Sequence, residues 1–514
     1  MRQAGPGRRT PSTPQEHSVS QSTATRAPAQ AGARPADHRW WVLAFVGIAQ
    51  LMVVLDATIV NIALPTAQAD LGFSDGARQW VITAYSLAFG SLLLLGGRIA
   101  DLFGRKITFL IGLVGFAVAS AIGGAAPSLE LLVAARALQG LFGALLAPAA
   151  LSLLTTTFTD PKDRAKAFSV FGAIAGAGGA IGLLLGGLLT EYLTWRWTLY
   201  VNVAFAVVAF IGAFMLLKHD GRNRDVALDV PGTVLVSAGL FSLVYGFSNA
   251  ESHSWTSTRT WGFLAAGAVL LAVFTWWQTR AAHPLLPLRV LADRNRGASF
   301  VSVLLIGAAM FGVFLFLTYY MQIIMGFTPV RTGLAFLPMV GAMMTGTILA
   351  TNFLVPRIGP KPVVPAGMAI GALGLLWMTT LGVDSSYATH VLPQLVVTGF
   401  GMGLIMATAM NLAVSGVAHH DAGVASAGVN TMQQVGGSIG TALLTTIASS
   451  ASADYLASHP GGTPAVTAQA SVESYSATYA WTAAIFAVGL VATVLLYKRG
   501  APRYDESAAS AVHM

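Results

Sequence analysis

The sequence predicts an all-α integral membrane protein with fourteen transmembrane helices in a six, two, six arrangement. Three observations predict this fold class: an apolar composition, a succession of apolar runs that are each about 20 residues long, and an uneven distribution of Lys and Arg along the chain. The same observations predict that both chain ends lie in the cytoplasm, a topology written N-in and C-in.

The composition is that of a membrane protein rather than a soluble one. Of the 514 residues, 55% are hydrophobic and 10% are charged, whereas a soluble domain carries roughly a quarter charged residues. The absence of cysteine excludes disulfides, thiolate metal ligands and a cysteine nucleophile. The net charge of +8 does not indicate nucleic-acid binding, because the basic residues form no stripe with interleaved aromatic residues.

The apolar runs divide the chain into three membrane regions. A six-helix bundle is predicted within 39–218, a two-helix insertion within 226–280 and a second six-helix bundle within 297–498. The predicted spans are 40–62, 80–98, 107–126, 131–156, 167–189, 197–217, 229–247, 261–278, 299–323, 333–355, 363–382, 391–416, 426–449 and 478–497. Residues 1–38 and 499–514 are predicted to be cytoplasmic tails, and the first of them is rich enough in Pro, Ser, Thr and Gln to be disordered.

The distribution of basic residues predicts the orientation. If the N-terminus is cytoplasmic, all but five of the 29 Lys and Arg residues lie in cytoplasmic segments, which satisfies the positive-inside rule. The five exceptions are Arg78, Arg136, Arg196, Arg259 and Arg331.

The two halves of the chain share a weak repeat. The turn after the second span reads GGRIADLFGRK, and the turn after the tenth span reads FLVPRIGPK. Aligning Gly104 with Gly359 brings the basic residues of both turns into register, which predicts duplicated halves of the kind found in large transporters.

Three patterns in the first half go beyond what a membrane span requires. In the turn after the second span, Gly97 and Gly104 suit a tight reversal, and Asp101 lies close to Arg105 and Lys106. The fourth span contains RALQG, with Arg136, Gln139 and Gly140. The fifth span repeats glycine every four residues, which predicts a flat stripe for helix packing. Its glycines include Gly178, Gly182, Gly186 and Gly187.

Asp56 is the acidic residue that lies deep inside a predicted span, in the stretch LDATIVNIALP. An ionisable group near the bilayer centre costs several kcal/mol and usually has a function, and burial disfavours the charged form of a carboxylate. Asp56 is therefore predicted to carry a proton. Two alternatives remain, in which it only hydrogen-bonds a neighbouring helix or binds a cationic substrate directly. Asn61 lies on a different face of the same helix, so one polar patch is predicted to face a cavity and the other a neighbouring helix.

These patterns resemble those of the major facilitator superfamily, and in particular its fourteen-helix drug:proton antiporters. The resemblance covers residues 40–497 and includes YYMQIIMGFTPVRTGLAFLP and GVASAGVNTMQQVGGSIGTAL in the second half. It implies that residues 97–106 form a cytoplasmic gate motif and that Arg136 takes part in proton coupling. A role for Arg136 as a residue that reaches toward the membrane interface stays open. The fifth span departs from the antiporter motif because Leu183 stands where that motif has proline.

The resemblance implies a proton-coupled exporter of drugs or antibiotics in the bacterial inner membrane. No enzymatic activity, cofactor or metal is expected, since the proton gradient would drive transport and the chain contains no GxxxxGK[ST] nucleotide-binding loop. The expected partners are a small-molecule substrate, protons and the lipid bilayer, with no nucleic acid, and the protein is expected to be monomeric. The alternatives are a metabolite transporter without proton antiport and a sensor that transports nothing.

The candidate substrate pocket combines polar, aromatic and methionine side chains, because flexible thioethers suit a surface that binds varied ligands. The candidates are Asn61, Tyr319, Tyr320, Gln322, Met402, Met406, Asn411, Asn430 and Gln434.

Overall fold

Every regular element in the described part of the chain is a helix. The computed structural model describes residues 38–74, 76–158, 160–217, 229–253, 255–415, 417, 422–498 and 500. The helices are α1 (His38–Leu71), α2 (Gln79–Phe103), α3 (Arg105–Gly124), α4 (Leu129–Thr157), α5 (Pro161–Tyr192), α6 (Trp197–Leu216), α7 (Val230–His253), α8 (Thr258–Gln278), α9 (Leu288–Ala292), α10 (Arg294–Tyr319), α11 (Pro329–Leu349), α12 (Val355–Ile358), α13 (Pro360–Met378), α14 (Leu392–Val414), α15 (Ala422–Ser458) and α16 (Pro464–Leu496).

Each of the fourteen predicted spans overlaps at least one of these helices, although several extend a few residues beyond a helix end, and this confirms the predicted fold class. Within the described residues, thirteen helices are long and apolar enough to cross a membrane. The remaining predicted span, 426–449, is the middle of α15, which has 37 residues but many Gly, Ser, Thr and Gln side chains. Helix α16 begins 14 residues earlier than predicted, at Pro464. The N-in, C-in orientation and the boundaries of the two bundles and the insertion stay predictions, and the predicted tails lie outside the described residues apart from His38 and Gly500.

The helices pack as two bundles with a helical pair beside them. In the first half α2 and α3 pack on α4, and α3 packs on α6; in the second half α11 and α13 pack on α14, and α10 packs on α15. The two halves meet where α2 contacts α15 and where α5 contacts α11. Helices α7 and α8 pack on each other, and α7 also contacts α2 and α15. The described residues from Arg39 onward form one unit.

The bundle has two ends. The terminal face is the end at which α1 begins and α16 ends, and the opposite face carries the connections α1–α2, α5–α6 and α10–α11. Two glycines with positive φ reverse the chain at the terminal face. Gly104 has φ +97° between α2 and α3, and Gly359 has φ +77° between α12 and α13. Because these are the glycines that the repeat aligns, the two halves share this turn geometry.

The glycine stripe of α5 packs on α1. A Cβ added at Gly178, Gly182 or Gly186 would meet Val54, Thr58 or Ile59, respectively, while one at Gly187 would meet the backbone of α11. The small residues therefore allow the close approach that their spacing predicts. Helix α5 runs without interruption past Leu183, which is fully buried.

Candidate functional site

The centre of the first bundle contains a buried ion pair. Asp56 of α1 is 0% exposed and Arg136 of α4 is 2% exposed, and the Nη1 of Arg136 lies 2.6 Å from the Oδ2 of Asp56. The other carboxylate oxygen accepts hydrogen bonds from Gln139 Nε2 at 3.0 Å and from Asn202 Nδ2 at 2.7 Å. Both oxygens of Asp56 are thus occupied, and Arg136 does not reach toward an interface as the alternative interpretation held.

A second set of hydrogen bonds fixes Arg136 and Gln139. Arg136 donates from Nε to the Val81 carbonyl at 3.1 Å and from Nη1 to Gln139 Oε1 at 2.8 Å. The Gln139 amide also donates to Ser120 Oγ at 2.7 Å. Because Gln139 accepts from the cation and donates to the anion, its orientation is determined by both charges. Helices α1, α2, α3, α4 and α6 all contribute to this site.

Glycine 140 brings α2 close to the site. A Cβ at this position would clash with the carbonyl oxygen of Tyr85, so only glycine allows α4 and α2 to approach this closely. The guanidinium carbon of Arg136 lies 4.4 Å from the centre of the Tyr85 ring, within the range of a cation–π interaction.

A cavity of about 620 Å³ lies between the two bundles. It extends from Asn61 and Tyr85 in the middle of the bundle to Val414, the last residue of α14. Phe168, Asn411 and Val414 are exposed at its outer end, so the cavity opens toward the terminal face. Its volume is in the range of small-molecule sites.

The cavity lining is largely apolar, with polar and aromatic side chains within it, and none of the described residues that form it is charged. The hydrogen-bonding side chains are Gln50, Thr58, Asn61, Tyr85, Asn411, Ser426, Asn430, Gln433 and Gln434. The aromatic surface comes from Tyr85, Phe89, Phe168, Phe171, Phe311 and Phe314, with Met310 and Met410 beside it.

Helix α1 separates its polar residues between the two sites. Thr58 and Asn61 line the cavity, whereas Asp56 points into the first bundle, toward α4 and α6. The amide nitrogen of Asn61 donates to the Ala57 carbonyl at 3.1 Å. Asp56 does not line the cavity, so in this conformation it is not a direct partner for a ligand there.

Three buried polar atoms in the cavity wall have no hydrogen-bond partner within the described residues. They are the Tyr85 hydroxyl, Asn61 Oδ1 and Gln434 Oε1. Buried polar groups normally have partners, and leaving one unsatisfied costs about 1–3 kcal/mol. These three atoms therefore remain unsatisfied in this conformation.

Three predicted pocket residues instead lie near the opposite face. The Tyr319 hydroxyl donates to Gln68 Oε1 at 2.6 Å, and Gln322 Nε2 donates to the Ile62 carbonyl at 3.0 Å. Tyr320 donates to the Gly382 carbonyl at 2.8 Å within the second half. The bonds of Tyr319 and Gln322 join α1 to the end of α10 and to the π-helical turn Tyr320–Ile324 that follows it, and they help to close the opposite face.

Two predicted methionines also lie outside the cavity. Met402 is fully buried in the second bundle, and Met406 packs on the same core. Met410, one turn further along α14 on nearly the same helix face, lines the cavity. Of the predicted pocket residues, Asn61, Asn411, Asn430 and Gln434 line the cavity.

The predicted gate motif lies at the terminal face. Lys106 Nζ donates to the carbonyls of Phe214 and Leu217 at 2.8 and 2.6 Å, so in this conformation it binds the end of α6. The side chain of Asp101 lies outside the described part. Gly97 faces Pro148 at ordinary contact distance, and Arg105 begins α3.

Sequence reasoning missed Tyr85 and Asn202. Each occurs in an apolar span with other small polar residues, and neither forms a motif by itself. A partial signal existed for Asn202, because an uncharged amide within a span needs a partner in the bilayer.

Comparisons with known proteins agree with this architecture. The sequence matches the family model of the Major Facilitator Superfamily over residues 46–441. The puromycin resistance protein of Streptomyces alboniger is 47% identical over 480 residues, covering 93% of this chain and 95% of the relative. The cephamycin export protein of Amycolatopsis lactamdurans is 40% identical over 419 residues, covering 80% and 86%.

A solved structure shows the same fold at low sequence identity. The crystal structure of a bacterial homologue of the human lysosomal transporter Spinster, described as inward-facing and unoccupied, has a TM-score of 0.63 and 15% identity. The match covers 90% of this chain and 98% of that protein. This chain therefore belongs to the major facilitator superfamily and is a multi-pass protein of the bacterial inner membrane.

Proposed function

We propose that this protein exports antibiotic-like small molecules in exchange for protons, with Asp56 as the proton carrier. The observation that supports this most directly is the location of the Asp56–Arg136 pair, which lies beside an open cavity but does not line it, and the described residues of that lining carry no charge. A site that exchanges a proton and a cavity that holds a ligand are then adjacent and separate.

The relatives support the class of substrate. Proteins that are 47% and 40% identical to this chain are named for puromycin resistance and cephamycin export. The cavity offers amide, hydroxyl and aromatic surfaces without a charged side chain among its described residues, which suits amphipathic molecules with hydrogen-bonding groups. We infer that substrates are recognised by these groups rather than through a carboxylate in the cavity wall.

The ion pair supplies a physical reason for proton exchange. A charged pair in the bundle interior is stable only while both partners are present. When Asp56 takes up a proton, Arg136 loses its counter-ion and the hydrogen bonds around it must rearrange. Protonation would therefore change the relative stability of the two conformations that alternating access requires.

The proposed cycle follows from the predicted orientation. With the termini in the cytoplasm, the cavity of this conformation opens to the cytoplasm and accepts substrate from the cell. The opposite face would then open by separation of α1 and α2 from α10 and α15, and of α5 from α11. A proton taken up at Asp56 from the outside would favour the return.

The test is proton movement in proteoliposomes. Reconstituted protein with an internal pH dye is exposed to puromycin, the compound for which the 47% identical relative is named. Wild type should show puromycin-driven proton movement, and Asp56→Asn should abolish it. Asp454→Asn, a change at an exposed carboxylate of α15, is the matched control and should behave as wild type.

Two outcomes would contradict the proposal. Proton movement that persists in Asp56→Asn would rule out Asp56 as the carrier. Puromycin transport by wild type without proton movement would identify a facilitator instead.

A further inference from the structure

Tyr85 connects the ion pair to the cavity. Its ring lies over the guanidinium of Arg136 at 4.4 Å, and the same residue lines the cavity wall. Gln139 and Asn202, the side chains that hydrogen-bond the pair, are absent from the cavity lining. Tyr85 therefore contacts the cation of the pair and also forms part of the cavity wall.

The ring face responds to the charge state of the pair. With Asp56 ionised, the positive charge of Arg136 is compensated by the carboxylate at 2.6 Å. With Asp56 protonated, that charge is held by neutral acceptors, the Val81 carbonyl and Gln139 Oε1, and by the ring. Cation–π attraction increases when the cation has lost other partners, so protonation draws Tyr85 toward Arg136.

The hydroxyl of Tyr85 is buried and unsatisfied in a residue that forms part of the cavity wall. It has no hydrogen-bond partner in the described structure, and neither have the carbonyl oxygens of Asn61 and Gln434 in the same cavity. Two acceptors and a hydroxyl are complementary to a ligand that carries an N–H or O–H donor. A movement of the ring displaces one member of this set from the ligand.

We propose that Tyr85 is the positioning residue that transmits the protonation state of Asp56 to the substrate, by holding or withdrawing its hydroxyl from a donor group of the ligand. This inference rests on the proposed function and adds the residue that couples the two sites. It also specifies the substrate class as molecules with an amine, amide or hydroxyl donor.

The ionisable groups at this site are few. Asp56 comes from α1, Arg136 from α4 and Tyr85 from α2, while α3 and α6 contribute the neutral side chains Ser120 and Asn202 among the described residues. A pH dependence of ligand affinity that Asp56→Asn removes therefore reports on Asp56.

The experiment measures ligand affinity at pH 6 and pH 8 with purified protein. The probe is the tightest binder among puromycin, cephamycin, tetracenomycin C and lincomycin, the compounds that appear in the names of relatives. Asp56→Asn gives the profile that arises from ionisation of the probe itself. The ratio of the wild-type affinities at the two pH values should differ from the ratio for Asp56→Asn by about fivefold or more, which is the lower range of coupling between linked sites.

Tyr85→Phe removes one oxygen and keeps the ring on Arg136. Its affinity for the ligand should be weak at both pH values and should follow the Asp56→Asn profile. The variant lacks the hydroxyl through which the protonation state of Asp56 would affect the ligand. The matched control is Phe89→Leu. Phe89 stacks on Tyr85 at 5.8 Å and lines the cavity, so this change should weaken binding at both pH values and keep the difference between them.

The outcomes separate the two proposals. If wild type and Asp56→Asn have the same profile, or if none of the four compounds binds, the proposed function fails and this inference fails with it. If they differ but Tyr85→Phe keeps the wild-type pH dependence, Asp56 remains the proton site and the role of Tyr85 is wrong. The double variant Asp56→Asn/Tyr85→Phe should show the same pH dependence of ligand affinity as either single variant.

Discussion

Two carboxylates are buried in the described part of the chain, and their surroundings differ. Asp56 lies inside the first bundle, where its partners are Arg136 and the amides of Gln139 and Asn202. Asp229 precedes α7 at the terminal face and is 8% exposed. Both side chains accept several hydrogen bonds, but a cation takes part only at Asp56.

Asp229 joins the two helices of the central pair to the segment that follows them. It accepts hydrogen bonds from Trp277 Nε1 at 2.7 Å, Gln278 Nε2 at 2.8 Å, the Gly232 amide at 2.9 Å and the Leu285 amide at 3.3 Å. That segment in turn contacts α2, because Arg98 donates to the Pro284 carbonyl at 3.2 Å.

The different partners determine what each carboxylate can do. At Asp229 all four donors are neutral, so protonation weakens these hydrogen bonds without leaving a charge unpaired. At Asp56 protonation leaves the charge of Arg136 without its partner, beside the wall of the cavity. Both carboxylates thus accept several hydrogen bonds. The buried cation beside Asp56 makes it a candidate proton site, whereas Asp229 has the features of a structural anchor.

The largest effect is expected from Arg136→Met, which removes the cation and leaves Asp56 buried. Breaking a buried ion pair costs about 3–5 kcal/mol. The loss should be smaller at pH 5.5 than at pH 8, since Asp56 becomes neutral when it takes up a proton. Thermal unfolding in detergent at both pH values measures this. The double variant Asp56→Asn/Arg136→Met should recover most of the stability, and failure to recover any would show that the pair is not the source of the loss.

A smaller effect is expected from Asp229→Asn, which turns an amide N–H₂ toward two of the donors. Hydrogen bonds to charged groups contribute about 1.5–3 kcal/mol, and a loss in that range is expected near neutral pH. Burial by itself would raise the pKa of this carboxyl, but the hydrogen bonds from Gln278, Trp277 and the two backbone amides outweigh burial and hold the pKa below its ordinary value.

The direction of the pH dependence follows from that shift. The folded-state pKa of Asp229 is lower than its unfolded value, so its contribution is complete above the unfolded pKa and is lost as the pH falls through the folded pKa. The difference in unfolding temperature between wild type and Asp229→Asn should therefore shrink in acid. A constant difference from pH 7 to pH 3 would contradict this assignment.

The fold could be predicted from the sequence because its determinants are local. Apolar runs of membrane length and the glycines at 104 and 359 specify helices and turns without knowledge of packing. The depth of Tyr319 in the membrane can also be estimated from its position along the helix. It lies 25 residues after the start of α10, roughly 37 Å along a helix at 1.5 Å per residue, which places it beyond the middle of the membrane rather than in a central pocket.

The partners within the site could not be predicted in the same way. Asp56 and Arg136 were identified as functional residues, but their direct contact depends on the crossing of α1 and α4. The roles of Tyr85 and Asn202 depend on which faces α2 and α6 turn toward that crossing. Helical periodicity separates the faces of one helix but does not say which neighbour each face meets.

The smallest effects come from deleting one neutral donor at each carboxylate. Asn202→Leu removes one of the hydrogen bonds to Asp56, and Trp277→Phe removes one of those to Asp229. Each should cost about 1 kcal/mol of stability, because other donors to the same carboxylate remain. The two variants should unfold in detergent at similar temperatures.

Their functional effects should nevertheless differ. Asn202→Leu removes a hydrogen bond to the proposed proton site, so the pH range of puromycin-driven proton movement should shift, whereas Trp277→Phe should leave that range unchanged. Proteoliposome assays across pH 5.5–8.5 measure the shift. If both variants move the pH range equally, the distinction between a proton site and an anchor would be wrong, because any saturated buried carboxylate would then influence transport in the same way.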